Sequence, residues 1–368
     1  MCASPPLIVI ERASIRVGPP HTQLCASQRA SFLMSAEDKT RQTVVVAFDV
    51  GYQIHDKCCW RWIERWLLLD PAQINLVLLH VQTSTEGREG RGAYEFMSYR
   101  YIDIEESAHY LAYDVWKSLR RGQYPHHEVL VLLTNKSVSN SLVDFMKFDA
   151  PQNAVLVLGS RHHTPSMFPP FLLGSISRDV TAKLDSHAVL LIRTRLFKDV
   201  SDLRDDTVGS AYLGLHDERE FGVGRRICIA VDAGNVRSLV HYCQKELLRR
   251  RDVVQIIHCA SDDDARTLAR VSNDTENVRE ELKNFLDDEQ QIDSILLDFS
   301  GDVRDRLIDH VNVEMEHSLD LLVIGRKRQN LARSVVGRTA LYLLQHAHVP
   351  VLMVPDALLE SKETAVAA

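Results

Sequence analysis

Seven cysteines occur without a single Cys-x-x-Cys pair, and two of them, Cys58 and Cys59, are adjacent. That spacing suits neither a zinc site nor a disulfide framework and points to a reducing compartment. No apolar run approaches the roughly 18 residues needed to cross a bilayer; Trp60 to Leu69 is broken by Arg61, Glu64 and Arg65. Positive charge is not in excess. A formal net charge of −7 and a pI of about 6.1 leave out the basic surface that nonspecific nucleic-acid binding requires. The expectation is a cytoplasmic protein whose partners include neither membrane nor nucleic acid. Catalytic signatures are missing as well: there is no Gly-x-x-x-x-Gly-Lys-Ser/Thr loop and no Gly-x-Ser-x-Gly elbow.

What is present comes twice. A buried strand ends in glycine, a polar loop leads to a second glycine, and a helix and another apolar strand follow. The first copy runs from Ala154–Gly159 to Gly174-Ser175-Ile176-Ser177 and then Ala188–Ile192. The second runs from Leu321–Gly325 to Gly337-Arg338-Thr339 and then Val349–Val354. Glycine at a strand end and at a helix start is how α/β proteins bring backbone N–H groups up to phosphate.

Aligning the copies puts the rest of each half in register. Thr43–Asp49 matches Arg226–Asp232, both ending in Ala-x-Asp, with Gly51 and Gly234 following. Helical stretches His55–Leu69 and Val236–Arg250 come next, then the strands Leu76–Val81 and Val253–Cys259. Third strands are expected at Val129–Leu133 and Ile295–Leu297, with a helix over Val303–Glu316. Continuous apolar strands alternating with helical periods indicate parallel strands buried on both faces. The expected fold class is α/β, with two tandem doubly wound parallel five-stranded sheets.

The expected division is an extension over 1–41, domains over 42–196 and 225–356, a linker over 197–224 and a tail over 357–368, unpacked after Asp356. The linker is charged and turn-rich. The first forty residues carry Arg12, Arg16 and Arg29 and almost no acids before Glu37, a transit-peptide look that a disordered extension or an upstream start before Met34 also explains.

With Ala-x-Asp, Leu-His-Val and Gly…Gly-Ser-Ile-Ser in place, the chain resembles a tandem universal stress protein, over residues 42–194 and 225–355. Asp320–Pro355 is the strongest local match. The resemblance implies a Rossmann-like sheet of order 3-2-1-4-5 in each half, with ATP or ADP, and Mg²⁺ bridging the phosphates, as ligand. By resemblance, Asp49 and Asp232 contact the nucleoside and Val81 holds the adenine through its backbone. Gly159, Gly174, Ser175, Ile176 and Ser177 in one half, and Gly325, Gly337, Arg338 and Thr339 in the other, hold the phosphates. The family pattern is Gly, two residues, Gly, nine residues, Gly, then Ser or Thr. His162 stands at the second glycine of the first half, and its loop, with Pro165, Pro169 and Pro170, is two residues longer. Arg328 stands there in the second half, whose loop is one residue shorter and holds Arg326, Lys327, Arg328, Arg333 and Arg338 with no acid between them. Side-chain charge could grip phosphate there in place of backbone amides.

Each feature has a plainer structural explanation. Asp49 and Asp232 favour helix caps, Gly159 and Gly325 can simply end buried strands, and the arginine run can be a solvated loop. His80 and His258, in matching strands, read as structural, and His162-His163 lacks a third metal ligand. Trp62 and Trp66 are spaced to share a buried face, and Gly87-x-x-Gly90-x-Gly92 reads as a flexible loop. The signatures His-x-Gly-His and Ser-Gly-Gly-x-Asp-Ser of related nucleotide-handling enzymes are absent, and no residue can be nominated as a base. The expected function is therefore a stress-response, adenine-nucleotide-binding module, more through the first half than the second. A ligand-free scaffold is the alternative, and weak ATP hydrolysis or autophosphorylation is the enzymatic one. The apolar last strands, Ala188–Ile192 and Val349–Val354, are candidate pairing edges. The two halves are expected to pair with each other there, and a homodimer is a further arrangement.

Overall fold

The computed structural model describes residues 41–49, 59–64, 67–68, 70–83, 97–160, 174–193, 224–259, 265–288, 291–297, 302–315, 319–326 and 337–360. The stretches holding Gly51, Trp66, Gly87–Gly92, His162–Pro170, Lys327–Arg333 and most of the linker lie outside them.

The strands are β1 (Gln42–Phe48), β2 (Ile74–Thr83), β3 (Met97–Tyr101), β4 (His127–Thr134), β5 (Val155–Ser160) and β6 (Ala188–Arg193) in the first half. The second half contributes β7 (Arg226–Val231), β8 (Val253–Cys259), β9 (Ile292–Leu297), β10 (Leu321–Arg326) and β11 (Val351–Pro355). All eleven form one sheet of order β3-β4-β2-β1-β5-β6-β11-β10-β7-β8-β9. Leaving β3 aside, each half has the order 3-2-1-4-5, with parallel neighbours joined by helical crossovers. Runs such as Val44-Val45-Val46 and Leu321–Ile324 are buried without alternation, as strands covered on both faces must be.

Two features add to the expected five parallel strands per half, and the first is the expected pairing of the halves along their last strands. β6 and β11 pair antiparallel, Val189 opposite Met353 and Leu191 opposite Val351, and fuse the halves into one sheet. These four side chains are completely buried, so the pairing removes two apolar edges that would otherwise invite aggregation. The other feature is β3, antiparallel to β4 at the outer edge of the first half. Its residues alternate between half-buried and exposed, which is why it lacks the apolar run that marks the inner strands.

The core follows the sheet across both halves. On one face Trp60, Ile63 and Leu78 belong to the same cluster as Ile229, Leu239 and Val254. On the other, Leu156 and Val180 join Leu322, Leu344 and Met353. Trp60 and Trp62 are both buried. Polar contacts cross between the halves too: the Gln42 side-chain amide donates to the carbonyl of Glu246, 2.8 Å away at the end of the helix Val236–Glu246. At the start of β7, Arg225 and Asp252 form an ion pair with both side chains at most 2% exposed.

The chain after Asp356 is not an unpacked end at once: Asp356–Glu360 forms a helical turn and buries Leu359. The helix expected over Val303–Glu316 is α-helical to Asp309 and widens to a π turn over His310–Glu314.

Candidate functional site

The topological switch of each half lies between its first and fourth strands, where crossovers leave in opposite directions. In the first half Ala47 pairs with Leu158, so Asp49 and Gly159 emerge side by side. In the second Ala230 pairs with Ile324, so Asp232 and Gly325 occupy the same positions. The aspartate and the strand-end glycine of the two halves thus occupy equivalent places.

The paired histidines have one job in both copies. His80 Nδ1 lies 3.3 Å from the carbonyl of Phe48, and His258 Nδ1 lies 3.1 Å from the carbonyl of Val231. A carbonyl only accepts, so Nδ1 carries the proton in each. Each imidazole fastens the residue before the aspartate and fixes where that carboxylate leaves the sheet. Val81 stands one residue past the last β1–β2 pair and is paired with Leu132 of β4.

The aspartates differ. Asp49 is exposed. Asp232 is half-buried, and its carboxylate accepts the N–H of Gly234 at 2.8 Å. Asn235, unremarked in the sequence, closes that turn. Its side-chain oxygen accepts the Asp232 N–H at 2.8 Å, and its own N–H donates to the Asp232 carbonyl at 3.1 Å. Sequence reasoning passed over Asn235 because its partner lies in its own turn and its constraint on Gly325 is remote.

The four glycines separate into two kinds. A side chain on Gly325 would run into the Asn235 amide, and one on Gly159 would lie 3.0 Å from the Cys59 sulfur. These two are glycine because a helix packs directly on the strand end. Gly174 and Gly337 are N-caps of the helices Ser175–Lys183 and Arg338–His346, with φ of −54° in both and ψ of 147° and 146°. Any residue adopts that backbone, and among the described residues a Cβ at either position meets nothing within 4 Å.

In a right-handed crossover the helix runs back along the sheet, so its N-terminus sits at the C-terminal end of the strand before it. The first helical bonds are Arg178 N–H to Gly174 and Leu341 N–H to Gly337, both at 3.0 Å. The amides of Ser175, Ile176 and Ser177, and of Arg338, Thr339 and Ala340, therefore precede the helical ladder and point toward the switch. Ser175 and Ile176 are exposed and Ser177 is buried, while Arg338 and Thr339 are exposed. Below the strand ends of the first half, Phe48, Cys59, Trp60, Ala112 and Gly159 line an apolar cavity of about 20 Å³, room for about one water.

Arg326 departs from its expected place in a cationic loop. It is 4% exposed, and its guanidinium donates to the carbonyls of Leu184 (2.5 Å) and Ala182 (2.7 Å) in the first half. The sequence cannot show this, because the partner helix is about 140 residues away and comes close only once β6 and β11 have paired.

Beyond that helix, burial lowers the His187 pKa from 6.5, Lys147 adds to the effect, and a hydrogen bond to the Pro151 carbonyl opposes it. Nε2 donates to that carbonyl and Nδ1 faces the Ser186 hydroxyl, so His187 is held neutral. The stability this contributes is complete above about pH 6.5 and is lost as pH falls through the lowered value. The urea midpoint should therefore fall less between about pH 7.5 and about pH 5.5 in His187→Gln than in the parent, and an equal fall would contradict the assignment.

Among the described residues no cluster of three or more His, Cys, Asp or Glu could hold a metal ion, and no helix is long and apolar enough to cross a membrane.

The universal stress protein family model matches residues 224–355. Across the chain, a protein assigned to the universal stress proteins in Pseudomonas aeruginosa UCBPP-PA14 superposes with a TM-score of 0.54 at 15% identity, covering 90% of this chain and all of that one (100%). A protein of unknown function from Pseudomonas aeruginosa PAO1 superposes with a TM-score of 0.54 at 16% identity, covering 90% of this chain and 99% of that one. At such identity these likenesses establish the fold. Comparison with curated proteins gave no match. Residues 224–355 thus match the universal stress protein family model, and the half that precedes them repeats their strand order.

Proposed function

We propose that the protein is a stress-response module that binds an adenine nucleotide, ATP or ADP, with the first half as its principal site. The observation that carries this reading is the pair Gly174 and Gly337. Neither backbone angle nor packing among the described residues asks for glycine at these helix starts, whereas close approach of an anion to the backbone does.

In the first half the Ser175 hydroxyl and the amides of Ser175–Ser177 would take the phosphates, with Gly159 opening the loop, Asp49 meeting the ribose and the Val81 backbone the adenine. Mg²⁺ would arrive with the nucleotide and neutralise phosphate charge. The second half offers Arg338 and Thr339 at its helix start, but Asp232 is committed to the turn closed by Asn235. That commitment favours a scaffolding role for the second half, with Gly337, Arg338 and Thr339 as a weaker anion site. Nothing in either constellation is a water-positioning base, so the reading is binding rather than turnover, in a cytoplasmic setting.

Calorimetric titration of the full chain with MgATP tests it. Saturable binding is expected, weakened at least about tenfold, near 1.4 kcal/mol, by Asp49→Ala and by Gly174→Val. Binding unchanged in both variants, or none in the parent, would overturn the proposal. ATP turnover abolished by Ser175→Ala would replace it with an enzymatic reading.

A further inference from the structure

We propose that the first half's phosphate-binding helix is held in position by the second half, through Arg326. This rests on the nucleotide reading above and adds to it: the principal site is completed across the domain boundary.

The helix Ser175–Lys183 has nine residues, so at 1.5 Å per residue its two ends lie about 14 Å apart and move as one rod. Its N-terminus carries Gly174 and the Ser175–Ser177 amides. At its other end the carbonyls of Ala182, in the last turn, and of Leu184, the C-cap, both accept from Arg326. A cation is the complement of a helix C-terminus, and a forked guanidinium fixes both the height and the rotation of the last turn. With Arg326 only 4% exposed, water cannot easily replace these bonds. The surroundings support the grip: Lys147 pairs with Asp185 at 3.1 Å, and Lys183 donates to the Asn140 side chain at 2.8 Å. Burial raises the Asp185 carboxyl, but the hydrogen bond and charge of Lys147, with a smaller contribution from Arg326, hold it below its ordinary value.

Arg326 directly follows Gly325, the strand-end glycine of the second half's own constellation. The equivalent position in the first half is Ser160, after Gly159. The Arg326 grip gives the family-matched second half a task that does not depend on its own ligand.

The test uses the full chain with Gly337→Val added to silence the second helix start, so that MgATP calorimetry reports the first site. Arg326→Met should raise the Kd about tenfold or more while circular dichroism shows a folded protein. Arg326→Lys, one point contact in place of a fork, should give an intermediate loss and serves if the Met variant does not fold. Gln42→Ala, which removes the other cross-domain side-chain hydrogen bond described, should leave the Kd unchanged. If the parent binds no ATP, the nucleotide reading fails and this inference with it. If the parent binds and the folded Arg326 variants bind equally well, the inference alone fails. Equal weakening by Arg326→Met and Gln42→Ala would reduce Arg326 to a general strut and overturn it too.

Discussion

Asp252→Asn should destabilise the protein by about 3–5 kcal/mol, the cost of leaving a buried charge without its partner. Asp252 meets every donor around it. One carboxylate oxygen takes the Arg225 amide and Nε, both at 3.1 Å, and the other takes Arg225 Nη2 at 2.6 Å and the Arg249 amide at 2.7 Å. Arg225 Nη2 also reaches the Leu247 carbonyl at 2.5 Å. Asparagine keeps one acceptor oxygen and turns an NH₂ toward donors, so at least one hydrogen bond becomes a repulsion. The guanidinium cannot shed its proton to escape, since arginine stays charged in proteins. Replacing both partners by apolar residues of similar volume should cost less than the single change, because the desolvation penalty leaves with the charge. Equilibrium urea unfolding of the single and double variants measures both. A loss under about 1 kcal/mol for Asp252→Asn would show that the pair is relieved by water or by movement of the corner. Movement is restricted: a side chain on Gly224 would overlap the Arg251 backbone, so the chain enters β7 through a gap that fits only glycine.

Gly325→Ala should cost about 2–4 kcal/mol, from overpacking plus a lost hydrogen bond, whereas Gly174→Ala should stay below about 1 kcal/mol. The methyl at 325 can enter only if the Asn235 amide swings away, and that amide holds the Asp232 N–H and so the turn leading into Val236–Glu246. Gly159→Ala should fall between them, because the atom it meets is a cysteine sulfur at 3.0 Å that can yield by a few tenths of an ångström. At Gly174 the new methyl meets no described neighbour, and the cost is a poorer helix cap. Thermal melts of the three variants rank them. If Gly174→Ala proved the most damaging, its glycine would be a folding requirement and the main support for a phosphate contact at that position would be gone.

The repeated motif was legible because it is local. Each strand and helix start is written in ten or so consecutive residues, and parallel strands buried on both faces need unbroken apolar runs such as Ala188–Ile192 and Leu321–Ile324. The apolar edges of β6 and β11 follow from that pattern, whereas the order 3-2-1-4-5, which sets the neighbouring ends of β1 and β5, came with the resemblance to universal stress proteins. β3 was not legible: an edge strand buries one face at most, and Met97–Tyr101 has no distinctive period over five residues.

By itself, then, the amino-acid sequence determined the two α/β halves, the glycine-led helix starts at Gly174 and Gly337, and the asymmetry between Ser175 and Arg338. Tertiary structure decided what long-range neighbours impose. It set the antiparallel register in which β6 and β11 join and gave Gly325 its reason through Asn235. It bound His80 and His258 to the carbonyls before Asp49 and Asp232, and it drew Arg326 out of a cationic loop into the other half. The physical reason is the range of the forces. Backbone propensity and hydrophobic period act over a few residues, whereas the bonds that assign Arg326 its task exist only after about 140 residues of chain have closed on themselves.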